Sequence, residues 1–207
     1  IGDIWRQNVQ AMGLPKELAA ALTDPDRIDA ALDTLPVPVA RACHALTHTT
    51  LSPNVGHGGQ KTNVIPDVVD VEVDIRTVPG TSRADVRAML DEALGDLAAH
   101  VEISDLQNSD ATMCGTDNPL WDTITKHTQI AYPGARLVPG MIVGGTDARY
   151  YRYRDRVAYG AGLFSPSMDM ATFGNRFHGH DERIDIESLA LSTGFWTGIA
   201  TDIARET

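Results

Sequence analysis

The segment Val69–Arg76 limits the possible folds of this chain more than any other stretch. Aliphatic side chains alternate there with charged ones, in the order VDVEVDIR. Because successive side chains of a strand point to opposite faces, this period of two predicts a β-strand with one buried and one solvated face. The turn-forming pair Pro79-Gly80 follows and ends the strand.

A helix and a second strand are predicted directly after this turn. Ser82 opens a helix over 83–99 whose apolar positions fall on one stripe, and the sequence HVEISDL at 100–106 alternates again. A strand, a helix and a strand with antiparallel-type alternation predict a two-layer unit, in which helices cover a single face of one sheet. We therefore expect an α/β fold built around the strand at Val69–Arg76.

Most of the remaining chain has helical patterns. Gly13-Leu14-Pro15 divides the apolar pattern of residues 3–23, because proline suits the first turn of a new helix. The polar segment 107–117 marks a domain boundary. The other predicted elements are helices near 26–34, 38–48, 119–131, 147–153 and 185–204, and strands at 47–55 and 156–160.

The charge balance argues against several classes of partner. The chain has 17 Lys and Arg against 28 Asp and Glu, a formal net charge of −11. Nucleic-acid phosphates and anionic membranes both require a surplus of cations, so neither is expected as a partner. No apolar run approaches the roughly 20 residues of a membrane span. The two cysteines, Cys43 and Cys114, show no CxxC spacing, which favours a cytoplasmic protein with reduced thiols.

Asn63 and Arg76 flank the central strand and are the first candidates for a binding site. The carboxamide of Asn63 comes shortly before the strand, and Arg76 ends it. Two interpretations are open. The pair is either an Asx turn with a solvated arginine, or two donors that converge on a substrate carboxylate, which a planar guanidinium binds in bidentate fashion.

The run Gly144-Gly145-Thr146-Asp147-Ala148-Arg149 is the second candidate. A pair of glycines after an apolar segment lets backbone N–H groups approach a ligand closely. A tight turn in which Asp147 caps the following helix explains the same residues equally well.

The sequence FHGHDER at 177–183 is the third candidate. Imidazole is a common zinc ligand, but alternate strand residues face opposite ways, so His178 and His180 are not expected to share one metal. Asp181 or Glu182 equally suits the cap of the final helix. His100 and His127 are interpreted as surface residues. Nucleophile-elbow, P-loop and dinucleotide motifs are absent, which argues against acyl-enzyme and nucleotide-dependent chemistry.

Taken in order, these motifs resemble those of the M20 metallopeptidase family. That family includes aminoacylases, succinyl-diaminopimelate desuccinylase, acetylornithine deacetylase and glutamate carboxypeptidases. The similar stretches cover most of residues 50–190, and they are GGQKTNVIPDVVDVEVDIRTVPG (58–80), GGTDARYYR (144–152), AYGAGLFSP (158–166) and FHGHDERIDIESL (177–189).

The resemblance implies two domains and a homodimer. Residues 1–110 would form most of a two-layer, ferredoxin-like lid or dimerisation domain, with a helical insertion at 1–46. Residues 111–207 would form the C-terminal part of a zinc-peptidase-like α/β catalytic domain. Two copies would pair through the lid.

The resemblance also implies a reaction and a set of site residues. A complete site would hold two zinc ions, with cobalt or manganese as alternatives, and would hydrolyse an amide or peptide bond in a small substrate with a free carboxylate. Asn63 and Arg76 would bind that carboxylate, Gly145 and Thr146 would line the substrate site, and His178 would be a zinc ligand.

The other zinc ligands and the general base of the family belong to motifs expected upstream of Ile1. We therefore assign no catalytic residue in this chain, and we expect the isolated 207 residues to be inactive. One alternative is a non-catalytic dimerisation module that binds carboxylate ligands through Asn63 and Arg76. Another is a structural fragment that folds only with a missing half.

Overall fold

The computed structural model of the chain describes residues 2–169, 172–173, 176 and 180–206. Helices and a small sheet are both present, so the predicted α/β fold class is confirmed. The elements in chain order are α1 (Asp3–Ala11), α2 (Lys16–Leu22), α3 (Ile28–Leu32), α4 (Val37–Thr47), β1 (Thr50–Gly58), β2 (Val69–Arg76), α5 (Arg83–Leu94), a 3-10 helix (Gly95–His100), α6 (Pro119–Ala131), α7 (Ala148–Arg152) and α8 (Ile186–Glu206).

The chain divides into two compact units. The first comprises Ile1–Met113 with Pro139–Arg149, and the second comprises Cys114–Val138 with Tyr150–Thr207. A hydrogen bond from Asn8 Nδ2 to the carbonyl oxygen of Pro139, at 2.7 Å, joins the returning segment to α1 of the first unit. The Gly-Gly-Thr-Asp loop at residues 144–147 therefore belongs to the same unit as Asn63 and Arg76.

Helices α1 to α4 enclose the apolar core of the first unit. The indole N–H of Trp5 donates to the carbonyl oxygen of Leu22 at 2.7 Å, so the polar atom of this buried ring is satisfied. Gly13 has a φ of +63° between α1 and α2, and Pro15 precedes α2, which confirms the predicted division of this region. The core consists of Trp5, Val9, Ala21, Leu22, Ile28, Ala31, Leu32 and Cys43.

Strands β1 and β2 form an antiparallel hairpin. Thr50 pairs with Arg76 at one end of the ladder, and Gly58 pairs with Val69 at the other. The predicted strand at Val69–Arg76 is confirmed over its full length, whereas β1 begins and ends later than the predicted 47–55. A register shift between Pro53 and Val55 leaves Asn54 outside the pairing, as proline has no N–H for the ladder.

The expected burial of one face of β2 is wrong for the described residues. Val69 and Val71 are 64% and 58% exposed, on the same face as the half-buried Ile75. Two strands alone cannot bury a face, and the ladder of the described chain has no third strand. The alternation in the sequence thus sets which side chains share a face but does not supply the layer that would cover it.

Helix α5 begins as predicted and ends early. Ser82 and Asp85 form a reciprocal capping box at its start, and Gly95, at a φ of +53°, converts the last predicted turn into the 3-10 helix. The predicted strands at 100–106 and 156–160 are wrong, since neither segment is extended in a ladder. A strand needs a hydrogen-bonded neighbour, and in the described part of the chain β1 and β2 bond to each other alone.

The second unit is centred on α6 and α8. Both helices agree with the sequence prediction, α6 at both ends and α8 to within two residues. Asn118 caps α6 by accepting a hydrogen bond from the Trp121 N–H at 3.1 Å, and Pro119 occupies the first turn. The core of this unit consists of Ile124, Leu163, Phe195 and Ile199.

Candidate substrate-binding site

Asn63 lies in the connection between β1 and β2. It is exposed, and the turn that contains it is closed by a hydrogen bond from the Val64 N–H to the Lys61 carbonyl oxygen at 3.2 Å. Asn63 thus lies in a short, exposed turn of this connection. Such a position suits both of the open interpretations, a turn residue and a ligand donor.

Arg76 ends β2 on the charged face of the hairpin. Its Nε–H donates to Asp74 Oδ2 at 2.8 Å, and both side chains are about half exposed. The two residues are next-but-one neighbours on a strand, so their side chains share a face. This ion pair orients the guanidinium and leaves its outer edge, with the two terminal nitrogens, directed away from Asp74.

The hairpin attaches Asn63 and Arg76 to opposite ends of its ladder. Arg76 lies at the Thr50 end, and the turn with Asn63 follows the Gly58 end. At about 3.4 Å per residue, the length of β2 between Val69 and Arg76 is about 24 Å. The described structure therefore does not bring the two side chains together, and their joint action on one carboxylate stays a prediction.

The loop with Gly145 and Thr146 is an exposed turn before α7. The Arg149 N–H donates to the Thr146 carbonyl oxygen at 3.2 Å, and the Ala148 N–H to Thr146 Oγ1 at 3.4 Å. Thr146, rather than the predicted Asp147, therefore supplies the described side-chain cap. A Cβ added at Gly144 would meet nothing within 4 Å, and one at Gly145 would meet only Arg149 Nη1, at 3.9 Å. The backbone of both glycines is open to an approaching ligand.

His178 lies outside the described residues, so its role as a zinc ligand stays a prediction. Described neighbours of this segment meet at the start of α8. Asp185 Oδ2 accepts from Arg176 Nη1 at 3.0 Å and from Ser188 Oγ at 2.8 Å, and Asp185 Oδ1 accepts from the Ser188 N–H. The hydrogen bonds from Ser188 lower the pKa of Asp185, so this carboxylate is a charged cap at neutral pH.

The described residues do not by themselves form a metal site. Across residues 2–169, 172–173, 176 and 180–206, no three His, Cys, Asp or Glu side chains are grouped so that they could hold an ion. Zinc sites use three or four protein ligands. The donor set described in this chain thus does not fit the two-zinc centre that the resemblance implies, and we derive no step through a metal.

Sequence reasoning missed one polar cluster between α6 and α8. His127 Nε2 lies 2.8 Å from Asp202 Oδ2, and Lys126 Nζ lies 2.7 Å from the same oxygen. The hydrogen bond from Lys126, and then that from His127, lower the pKa of Asp202. The interpretation of His127 as a surface residue is wrong, since its side chain is only 13% exposed. The sequence did contain one signal for this, because His127 follows the apolar Ile124 by three residues and so lies on the same face of the helix.

A known family model matches most of the first unit. The family model of the peptidase dimerisation domain, M20_dimer, matches residues 8–102. The matched residues begin in α1 and end just after the 3-10 helix, so they contain the hairpin with Asn63 and Arg76.

Curated relatives match a larger part of the chain. "Probable carboxypeptidase S-like 2" of Dictyostelium discoideum is 25% identical over 154 residues, which are 73% of this chain and 29% of the relative. "N-fatty-acyl-amino acid synthase/hydrolase PM20D1" of Xenopus tropicalis is 28% identical over 155 residues, 74% of this chain and 29% of the relative. PM20D1.1 of Danio rerio, with the same descriptive name, is 27% identical over 70% of this chain and 28% of its own length. The chain thus spans less than a third of these relatives.

No solved structure matches the chain. Among the described helices, none is both long and apolar enough to cross a membrane. The resemblance seen in the motifs at 58–80 agrees with the domain match over the same residues. The chain therefore carries an M20 peptidase dimerisation domain at residues 8–102, as its sequence motifs predict.

Proposed function

We propose that this chain is the C-terminal part of a metal-dependent M20 hydrolase that cleaves the amide bond of N-acyl amino acids or small peptides with a free carboxylate. The observation that carries the proposal is the placement of two motifs in one unit. The first unit contains both the matched dimerisation domain and the Gly-Gly-Thr-Asp loop. The names of the relatives, a probable carboxypeptidase S-like protein and an N-fatty-acyl-amino acid synthase/hydrolase, support this substrate class.

Arg76 is the group proposed to bind the substrate carboxylate. Its Nε–H is already used by Asp74, while among the described residues its two terminal nitrogens have no hydrogen-bond partner. Those two nitrogens form the planar edge that binds a carboxylate in bidentate fashion. Asp74 would hold the guanidinium in place. Asn63 is proposed as a separate neutral donor to substrate, because it follows the opposite end of the ladder from Arg76 in this chain.

Gly145 and Thr146 are proposed to line the site beside the acyl group or the scissile amide. The absence of a side chain at Gly145 lets a substrate approach the backbone closely, which a Cβ would prevent. The hydroxyl of Thr146 already accepts from the Ala148 N–H, and it can still donate its own proton.

We also propose that His178 is one ligand of a zinc centre whose other ligands and general base come from residues N-terminal to this chain. Zinc is the expected metal, with cobalt or manganese as alternatives. One imidazole does not hold zinc tightly at neutral pH, so the isolated 207 residues would be inactive. A homodimer through the first domain and a cytoplasmic location belong to the same proposal. So do domain limits at 1–110 and 111–207, with the segment Pro139–Arg149 returning to the first unit.

A non-catalytic carboxylate-binding and dimerisation module is the second candidate. The observation in its favour is that the described residues offer an exposed guanidinium but no cluster of three metal-ligating side chains. The two candidates differ over His178, because the module needs no metal there.

The first experiment is the intact mass and N-terminal sequence of the protein as its source makes it. Hydrolysis of N-acetylmethionine is then compared with that of N-acetylmethionine amide, before and after chelation and zinc addition. The hydrolase proposal predicts a longer product, chelator-sensitive cleavage of the carboxylate substrate, and loss of zinc in His178→Ala, measured by elemental mass spectrometry. Undiminished zinc in that variant, or no cleavage of N-acyl amino acids by the zinc-loaded protein, would favour the module. Zinc-dependent amidase activity in the isolated 207 residues would contradict their proposed inactivity.

A further inference from the structure

The side chain of Arg149 connects the Gly-Gly-Thr-Asp loop to a distant segment of the first unit. Its Nη1 donates to Ser109 Oγ at 3.1 Å, across 40 residues of sequence. The same Nη1 lies 3.9 Å from the position that a Cβ would take on Gly145. The guanidinium therefore bonds to the polar segment after the 3-10 helix and lies beside Gly145.

The backbone of Arg149 closes the same loop from its other side. Its N–H donates to the Thr146 carbonyl oxygen, and the Ala148 N–H donates to Thr146 Oγ1. These bonds, at 3.2 and 3.4 Å, are long for N–H···O hydrogen bonds. The turn is exposed and precedes a helix of only five residues, so its local bonds alone hold Gly145 and Thr146 weakly.

We propose that Arg149 is a positioning residue, which holds the backbone of Gly145 and Thr146 in the conformation that receives substrate by fastening this loop to Ser109. The inference rests on the proposed function only in assigning Gly145 and Thr146 to the substrate site. Arg149 acts through these two residues rather than on the substrate.

The choice of arginine follows from this geometry. A guanidinium is planar and carries donors on three nitrogens, so one nitrogen can bond to the serine hydroxyl while the group stays beside Gly145. Lysine has a single ammonium on a flexible stem, which can reach Ser109 but places no planar group beside Gly145. The Lys variant therefore tests the planar contact separately from the charge.

The test uses Arg149→Ala, Arg149→Lys and Ser109→Ala in the protein as its source makes it. Arg87→Ala is the matched control, because Arg87 also forms an exposed charged contact, but with Asp91 within α5 rather than with the 144–149 loop. The first readout is amide hydrogen exchange at 107–111 and 144–149. The second is KM and kcat for N-acetylmethionine.

Arg149→Ala is expected to speed exchange at both segments about tenfold and to raise KM about tenfold with a smaller change in kcat, since one hydrogen bond from a charged group is lost. Ser109→Ala and Arg149→Lys should show a partial effect, and Arg87→Ala none. Unchanged exchange at 144–149 in Arg149→Ala would overturn the inference, as would faster exchange with an unchanged KM. A third result would separate this inference from the proposed function. If exchange rises as expected but the unsubstituted protein cleaves no N-acyl amino acid, the proposed function fails, and so does the role of Arg149 toward a substrate. The bond between Arg149 and Ser109 would then still hold the loop.

Discussion

Arg76 and Asp74 form an ion pair along one face of β2, with Nε and Oδ2 2.8 Å apart. The bond uses the inner nitrogen of the guanidinium and leaves its outer edge for a second anion. A cation that is already oriented by an acid loses less conformational entropy when it binds a ligand. The strand thus presents Arg76 with its guanidinium already oriented, which suits its proposed role in binding a substrate carboxylate.

Substitutions of Arg76 and Asp74 should separate two effects, the binding of the ligand by Arg76 and the orientation of the Arg76 guanidinium by Asp74. Arg76→Ala is expected to weaken binding of N-acetylmethionine by about 2 kcal/mol, or about 30-fold, through loss of a charged hydrogen-bonded contact. Asp74→Ala should weaken it less, and Asp74→Asn less still, because the amide oxygen can still accept from Nε. Isothermal titration or KM measurements would show this order.

The unfolding free energy serves as the control for these variants. Both side chains are about half exposed, so loss of their pair should change stability by about 1 kcal/mol or less. Equal weakening of the carboxylate and amide forms of the ligand in Arg76→Ala would contradict the proposed role of this residue.

Gly145→Ala and Gly144→Ala form a matched pair that tests the open backbone of the loop. Neither glycine has a positive φ, and the new methyl group would meet at most Arg149 Nη1 at an ordinary 3.9 Å. Both variants should therefore keep the stability of the parent protein within about 0.5 kcal/mol. Gly145→Ala alone should raise KM for N-acetylmethionine. An equal rise in KM in both variants would contradict the specific assignment of Gly145, although it would still place the loop near the substrate.

Gly198→Ala should destabilise the second unit, although alanine favours helices. A Cβ at Gly198 would lie 2.4 Å from His127 Cε1 and 2.5 Å from Nδ1, and His127 is bonded to Asp202. Overpacking costs about 1–3 kcal/mol, and the gain in helix propensity over glycine is about 1 kcal/mol. A net loss of about 1 kcal/mol is expected in urea denaturation.

Gly194→Ala in the same helix is the control for this effect. Nothing lies within 4 Å of its added Cβ, so this variant should gain about 0.5–1 kcal/mol from helix propensity. Stabilisation by both substitutions would show that His127 does not pack against Gly198 in solution.

Acidification should weaken the contact between α6 and α8 through Asp202. Lys126 and His127 lower the folded-state pKa of Asp202 below its unfolded value of about 4. Its contribution to stability is therefore fully present above about pH 4, and it is lost as the pH falls through the lowered folded pKa. Asp202→Asn should remove this part of the pH dependence from unfolding free energies measured between pH 2 and pH 6.

A remaining acid dependence in Asp202→Asn is expected, because Ser82 and Ser188 also lower the pKa of Asp85 and Asp185. A variant curve parallel to that of the parent protein over the whole range would contradict the assignment to Asp202.

Patterns within one element predicted the local structure well. The alternation at Val69–Arg76 predicted β2 to the residue, and Asn118 with Pro119 marked the start of α6. Ser82 opened α5 through a capping box that involves only residues three apart. Such signals depend on neighbours along the chain, which a single sequence contains in full.

The site could be predicted only in its parts. The motifs named Asn63, Arg76, Gly145 and Thr146, but the register that attaches Asn63 and Arg76 to opposite ends of the ladder follows from pairing between strands. The bond between Arg149 and Ser109 joins residues 40 positions apart, and that between His127 and Asp202 joins residues 75 apart. No periodicity in the sequence identifies partners at such separations.

The sequence by itself determined where α5 and α6 begin, the extent of β2, the break between α1 and α2, and the resemblance of residues 8–102 to a peptidase dimerisation domain. The tertiary structure alone decided that the valine face of β2 is exposed, that 100–106 is not a strand, and that His127 is enclosed. The reason is physical. Helix periods, caps and turns are set by interactions over a few residues, whereas burial and strand pairing require partners that only the folded chain brings into contact.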